Sequence, residues 1–209
     1  EIDEDTAYTI GLGFGSYIKS LGKEKCVIGH DNRLSSDSLY KALMQGITET
    51  GINIISLGLC TTPMYYYACI KLKVYSGVMV TASHNPKDDN GFKFAFDESG
   101  NCKGQEIQDF LTYILKGEFS KGEGSIEEYD IEPDYIELFR SNFTFGKRRV
   151  KVVLDPGNGT TSIIMKKLYE MFPIDIITIN DVSDGHFPNH HPDPSVEANL
   201  EQLKKKVIE

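Results

Sequence analysis

The chain has 209 residues, a formal net charge of -9, 40% hydrophobic and 25% charged residues. That balance excludes a disordered polyelectrolyte and gives enough chain for one large domain or two smaller ones, each with a core. No apolar run approaches the ~20 residues that cross a bilayer, and the acidic balance excludes general nucleic-acid binding, which rests on basic patches.

The pattern opens with a helix over Thr6–Ser20, with Asp3 or Asp5 as its cap and Ala7, Ile10, Gly11, Phe14 and Ile18 on one face. Its Gly11-Leu12-Gly13-Phe14-Gly15 run follows no strand, so it predicts close helix packing rather than a nucleotide loop. Lys25–His30 reads as a buried strand, Asp31-Asn32-Arg33-Leu34-Ser35-Ser36 as a loop, and Ser36–Thr50 as a helix stopped by Gly51. Asn53–Leu57 is a strand, and Thr62-Pro63 opens another helix.

Gly77–Phe96 follows, two short apolar strands around a dense polar loop, Ala82–Gly91. Gly104–Lys116 is a helix and Gly117–Asp130 a polar, glycine-rich loop leading into a linker. Glu132–Asn142 reads as helical, Val150–Leu154 as a strand, Asp155–Thr160 as a tight loop and Thr161–Met171 as a helix. Asp175–Ile179 is a strand and Val196–Ile208 a helix. Strands alternating with helices imply an α/β layer with a largely parallel or mixed sheet. Sites in such sheets favour the carboxyl ends of strands, where the Asp31–Arg33 and Ser83 loops fall. The second unit is short for its apolar faces, and the pattern breaks off at Glu209, so a fragment of something longer is expected.

The four cysteines, Cys26, Cys60, Cys69 and Cys102, form no Cys-x-x-Cys pair and no zinc spacing. Reduced thiols and a cytoplasmic location are expected, since nothing in the opening residues indicates secretion, although a chain that starts at Glu1 rather than Met leaves a processed leader open. His190, His191 and Asp193 lie among prolines, which favours an ordered loop over a metal site. The Asn142 and Asn158 sequons are discounted for want of a secretion signal, and Lys204-Lys205-Lys206 reads as a solvated helix face.

In the Ser83 loop, His84 adjoins the serine, but neighbours on an extended chain point opposite ways. No Gly-x-Ser-x-Gly elbow supports a hydrolase triad. Asn85, Asn90 and Gly91 supply turns and exposed N–H groups, and Lys87 and Lys93 add positive charge that Asp88 and Asp89 offset. The residues leave two readings open: a serine that carries a phosphoryl group, or a plain turn between two strands.

Thr81-Ala82-Ser83-His84-Asn85-Pro86 followed by Asn90-Gly91-Phe92-Lys93 resembles the active-site serine loop of the α-D-phosphohexomutases. Gly29–Ser35, Asp155-Pro156-Gly157-Asn158-Gly159 and Asp184–Pro194 with Glu197, Asn199 and Leu200 agree in order. Together they cover nearly the whole chain, and the histidine-rich segment is most similar to the phosphomannomutase/phosphoglucomutase branch. The resemblance implies a phosphoglucomutase-like three-layer domain, a mixed sheet flanked by helices, over residues 1–130 with the phosphoserine loop. A linker helix and an incomplete second domain of similar type are implied over residues 131–209.

It implies Ser83 as the phosphorylated serine and Lys93 as general acid/base. His84 and Asn85 would orient the site, Arg33 would order the loop, and Mg²⁺ would be ligated by the phosphate on Ser83. The partners implied are a hexose phosphate, a hexose bisphosphate and the missing C-terminal domains, with no nucleic acid or membrane. The reaction implied interconverts the 1- and 6-phosphates of mannose or glucose in carbohydrate metabolism. The family's opening arginine segment, its Asp-Gly-Asp metal loop and its third and fourth domains lie outside residues 1–209, so the piece alone is expected to be inactive. Phosphoglucosamine mutase, a hydrolase using the same serine, and a non-catalytic sugar-phosphate module stand as alternatives.

Overall fold

The structure, a computed structural model, describes residues 2–146 and 148–209. The chain forms two compact units. The first holds everything up to Asp31, Ser35–Ala82 and Asn90–Asp130; the second holds Ile131–Glu209 together with the loops Asn32–Leu34 and Ser83–Asp89.

The first unit contains helices α1 (Glu4–Ser20), α2 (Ser36–Thr48), α3 (Thr62–Leu72) and α4 (Gln105–Leu115). Its strands are β1 (Lys25–His30), β2 (Asn53–Leu59), β3 (Gly77–Val80), β4 (Phe92–Ala95) and β5 (Ile126–Glu128). The sheet runs β4-β3-β1-β2-β5, parallel throughout except β4, which is antiparallel to β3. Every residue of β3 is buried, as a strand covered on both faces requires, which is why Gly77–Val80 is a continuous apolar run. His30 and Val80 are register partners in β1 and β3, so the loops after both strands leave from the same carboxyl end of the sheet.

Asp3 is the cap of α1, its Oδ1 accepting from Thr6 N at 2.8 Å. Close helix packing explains the glycine run, Gly11 against α2 and Gly13 against Ile114 of α4. A Cβ on Gly11 would fall 2.3 Å from Leu43 O, and one on Gly46 would fall 2.2 Å from Tyr8 O. Period-2 alternation sends Phe92 and Phe94 of β4 into the α1–α2–α4 side. There Phe94, Phe96 and Phe110 ring Phe14 at centroid distances of 5.9–6.4 Å. Lys93 lies on the opposite face of the strand. Tyr65, Ala68 and Cys69 of α3 are buried outside that cluster, completing the third layer.

The glycine-rich stretch 117–130 is anchored rather than loose. Gly124 N donates to Thr48 O at 2.8 Å, and β5 pairs parallel with β2. All three β5 residues are exposed, so no alternating apolar signal marks this edge strand. Gly124 is needed there because a Cβ would sit 2.0 Å from Ile52 O.

The second unit contains α5 (Glu132–Asn142), the parallel pair β6 (Val150–Leu154) and β7 (Ile174–Thr178), α6 (Met165–Tyr169) and α7 (Glu201–Ile208). The helix expected over Thr161–Met171 is two pieces, a 3-10 turn at Thr160–Ile163 and then α6. The helix expected over Val196–Ile208 likewise begins as a 3-10 turn, Glu197–Leu200. Ile164, Met165 and Leu168 are buried, whereas β7 is half-buried throughout.

Candidate active site

The serine loop is closed at its neck by Thr81 N donating to Gly91 O at 2.9 Å. Ser83 stands in the left-handed region at φ 57, an unusual place for a residue with a Cβ. This corrects the extended-chain expectation for Ser83 and His84. With the backbone turned, His84 Nδ1 comes within 3.4 Å of Ser83 Oγ, a long and weak contact. Ser83, His84 and Asn85 are all exposed.

Arg33 organises this loop from beneath. It is buried, at 3% exposure. Its Nη1 donates to Pro86 O at 2.6 Å and Asp89 O at 3.1 Å; its Nη2 donates to Ser83 O and Asn85 O, each at 2.9 Å. Four carbonyls therefore turn inward to one guanidinium. In a trans peptide the N–H opposes the C=O, so the amides of His84, Lys87 and Asn90 are directed away from Arg33. The loop consequently presents side chains and N–H dipoles outward, a surface suited to an anion. Pro86 follows Asn85 and supplies no N–H, so the Asn85 carbonyl is bonded without an amide facing the other way.

The Asn90 side chain is a staple. Its Nδ2 donates to Ser35 Oγ and Ser36 Oγ, each at 2.9 Å, and its Oδ1 accepts from Gly91 N at 2.8 Å. The Gly91 amide, expected to be exposed, is thereby occupied. Lys93 sits half-buried in β4, paired in register with Met79.

Within the second unit, Asn32 is fixed by a polar network that the sequence did not single out. Its Nδ2 donates to Asn158 O at 2.8 Å and Ser183 Oγ at 3.0 Å, its backbone N donates to Thr160 Oγ1, and its Oδ1 accepts from that same hydroxyl. Asn158 is itself buried, at φ 59, with Nδ2 donating to Val182 O and Oδ1 accepting from Asn189 Nδ2. The signal available in sequence was the two motifs holding Asn32 and Asn158; their mutual contact requires the fold.

His190 belongs to the same framework. Its Nε2 lies 3.1 Å from Asp155 Oδ2 and its Nδ1 2.9 Å from His191 O. Asp193 is held below the usual carboxylate range, first by the Ser195 hydroxyl and then by the Ser195 N–H, with His84 a smaller contributor. Asp184 is lowered by hydrogen bonds from His186, the backbone N–H first. Among the described residues no three His, Cys, Asp or Glu side chains gather as a metal site. No helix among them is long and apolar enough to cross a membrane.

Comparison with known proteins gives this geometry a context. Residues 1–121 match the family description "Phosphoglucomutase/phosphomannomutase, alpha/beta/alpha domain I", and residues 133–209 match domain II of the same description. A phosphomannomutase/phosphoglucomutase of Pseudomonas aeruginosa PAO1 is 39% identical over 203 residues, covering 97% of this chain and 43% of the relative. A phosphoglucomutase of Neisseria gonorrhoeae is 35% identical over 204 residues, covering 97% of this chain and 44% of the relative. A crystal structure of a phosphoglucomutase/phosphomannomutase family protein from Burkholderia thailandensis superposes with a TM-score of 0.92 at 33% identity, covering 99% of this chain and 46% of that one. The chain spans less than half the length of these relatives.

Proposed function

Because the chain belongs to the phosphoglucomutase/phosphomannomutase family, we propose that it is the N-terminal part of a mutase that moves a phosphoryl group between the 1- and 6-positions of a hexose phosphate. On this reading residues 1–130 form its first domain and residues 131–209 part of its second. Mannose and glucose phosphates are the expected substrates, in line with the names its relatives carry. The observation that supports it most is the inside-out serine loop, in which Arg33 takes four carbonyls and leaves Ser83 exposed among outward N–H groups.

Ser83 is the phosphoryl carrier. Its P–Oγ bond breaks as a P–O bond forms to a sugar hydroxyl, giving a bisphosphate. Lys93 takes the hydroxyl proton and delivers it to the departing Ser83 Oγ; in the second transfer the serine proton runs back through Lys93 to the sugar oxygen released. The bisphosphate reorients, and its other phosphoryl group restores phospho-Ser83. Such transfer depends on positioning and charge stabilisation more than on covalent activation. His84 and Asn85 orient the phosphate from the loop. Mg²⁺ supplies charge neutralisation when bound. A phosphate on Ser83 would be its ligand from this chain, the remaining ligands being expected from the rest of the longer protein. The cytoplasm is the matching location.

Full-length protein assayed with mannose 1-phosphate and glucose 1-phosphate tests the reading, alongside peptide mass spectrometry. Phosphate on Ser83, isomerisation that depends on Mg²⁺, and no turnover by residues 1–209 alone are expected. Release of inorganic phosphate without isomerisation, or phosphate never at Ser83, overturns it.

A further inference from the structure

Arg33 holds the serine loop, and the second unit holds Arg33. Its guanidinium carbon lies 5.7 Å from the centroid of the Phe187 ring. Phe187 is half-buried and occupies the left-handed region at φ 48, where a bulky side chain is a genuine outlier. The surrounding turn fixes it there. Phe187 N donates to Asp184 O at 3.0 Å, and Asp184 N donates to Asn158 O at 2.9 Å. Asn189 Nδ2 anchors the far side on Asn158 Oδ1 at 2.8 Å. The turn also abuts the backbone that carries Arg33: a Cβ on Gly185 would fall 2.4 Å from Asn32 O and 3.0 Å from Leu34 N. One turn therefore meets the Asn32–Leu34 backbone through Gly185 and the guanidinium through Phe187.

We propose that Phe187 is a positioning residue for the serine loop, acting through Arg33. The four terminal N–H bonds of a guanidinium lie in one plane, so rotating that plane weakens all of them together. A ring beside the cation resists that rotation. The strained backbone at Phe187 has no other evident purpose, and the phosphoryl-transfer steps make no direct use of the residue. The proposal rests on the assignment of Ser83 as phosphoryl carrier.

The test uses full-length protein and the variants Phe187→Leu, Phe187→Tyr, Arg33→Lys and the Phe187→Leu/Arg33→Lys pair. Amide exchange at Asp89, whose N–H donates to the Arg33-bound Pro86 carbonyl at 3.0 Å, should rise roughly tenfold in Phe187→Leu while β3 and β4 keep their protection. The kcat should fall by a similar factor, with KM changed less than about twofold, and Phe187→Tyr should restore both. Adding Phe187→Leu to Arg33→Lys should change loop exchange little further, since the ring acts through the guanidinium. Unaltered loop exchange in Phe187→Leu, or full additivity in the pair, overturns the proposal. Should Phe187→Leu fail to fold, Phe187→Met read by the same exchange decides it. Phosphate absent from Ser83 refutes the carrier assignment instead, and leaves the exchange data to judge the clamp.

Discussion

Arg33 Nη2 donates to the Ser83 carbonyl at 2.9 Å, while the Ser83 side chain is exposed. One residue is thus both anchored and exposed: its backbone is tied to a buried cation while the residue faces outward.

That anchoring predicts the effect of Arg33→Lys. An ammonium is a point donor and cannot reach four carbonyls in the plane of a fork. Leaving some of them unmet should cost about 2 kcal/mol of stability in a urea titration. If Ser83 carries phosphate as proposed, its occupancy in the full-length protein should fall as well. An unchanged urea midpoint would mean that water replaces the guanidinium without penalty.

Ser83 itself predicts a contrast between two silent substitutions. Ser83→Ala and Ser83→Gly both remove the hydroxyl, so neither should take up phosphate. At φ 57 the alanine keeps a strained Cβ and the glycine does not. Ser83→Gly should therefore be more stable than Ser83→Ala by about 0.5–1 kcal/mol, after glycine's own entropy is subtracted. Equal melting temperatures would argue against strain at this position.

The α1–α2 contact predicts that a better helix former is harmful. Alanine at position 46 gains up to ~1 kcal/mol of helix propensity. Its Cβ, however, would meet the Tyr8 carbonyl at 2.2 Å and the Leu12 amide at 2.8 Å. Backbone cannot yield as a flexible side chain can, so Gly46→Ala should lose a net ~2 kcal/mol. A stabilised variant would show that the two helices can separate freely.

The buried thiols predict an alkaline limb in the stability profile. Burial pushes the Cys60 thiol up to about 12 and the Cys69 thiol up to about 11, and raises Cys26 as well. A native value above the unfolded one means that the native state holds the proton more firmly. Stability is then complete below the unfolded value, near pH 8.5, and falls as pH climbs towards the folded values. The slope is about 1.4 kcal/mol per pH unit for each fully buried thiol. Buried Tyr65, also raised by desolvation, adds to the fall at higher pH. Urea midpoints should be level from pH 6 to 8 by this argument and drop above about pH 9, with Cys60→Ala giving a shallower limb. A level profile to pH 11 would contradict it.

The sequence by itself determined the order of the helices and of β1 to β4 in the first unit, because buried strands and amphipathic helices write their burial into periodicity. It also marked out the Ser83 loop as a dense polar segment between two apolar strands, while the residues alone left a plain turn open. What it missed were features without local periodicity. β5 is a three-residue edge strand with every residue exposed, so it looks like linker. The Ser83–His84 geometry depends on a positive φ that residue type does not announce. Arg33 could be named but not ranked, since its weight comes from four carbonyls 50 to 56 residues along the chain. Asn32 and Phe187 matter through partners more than 100 residues away, Asn158 and Arg33 respectively. Sequence records what each residue prefers locally; which distant carbonyl, ring or amide meets it is decided when the chain closes on itself.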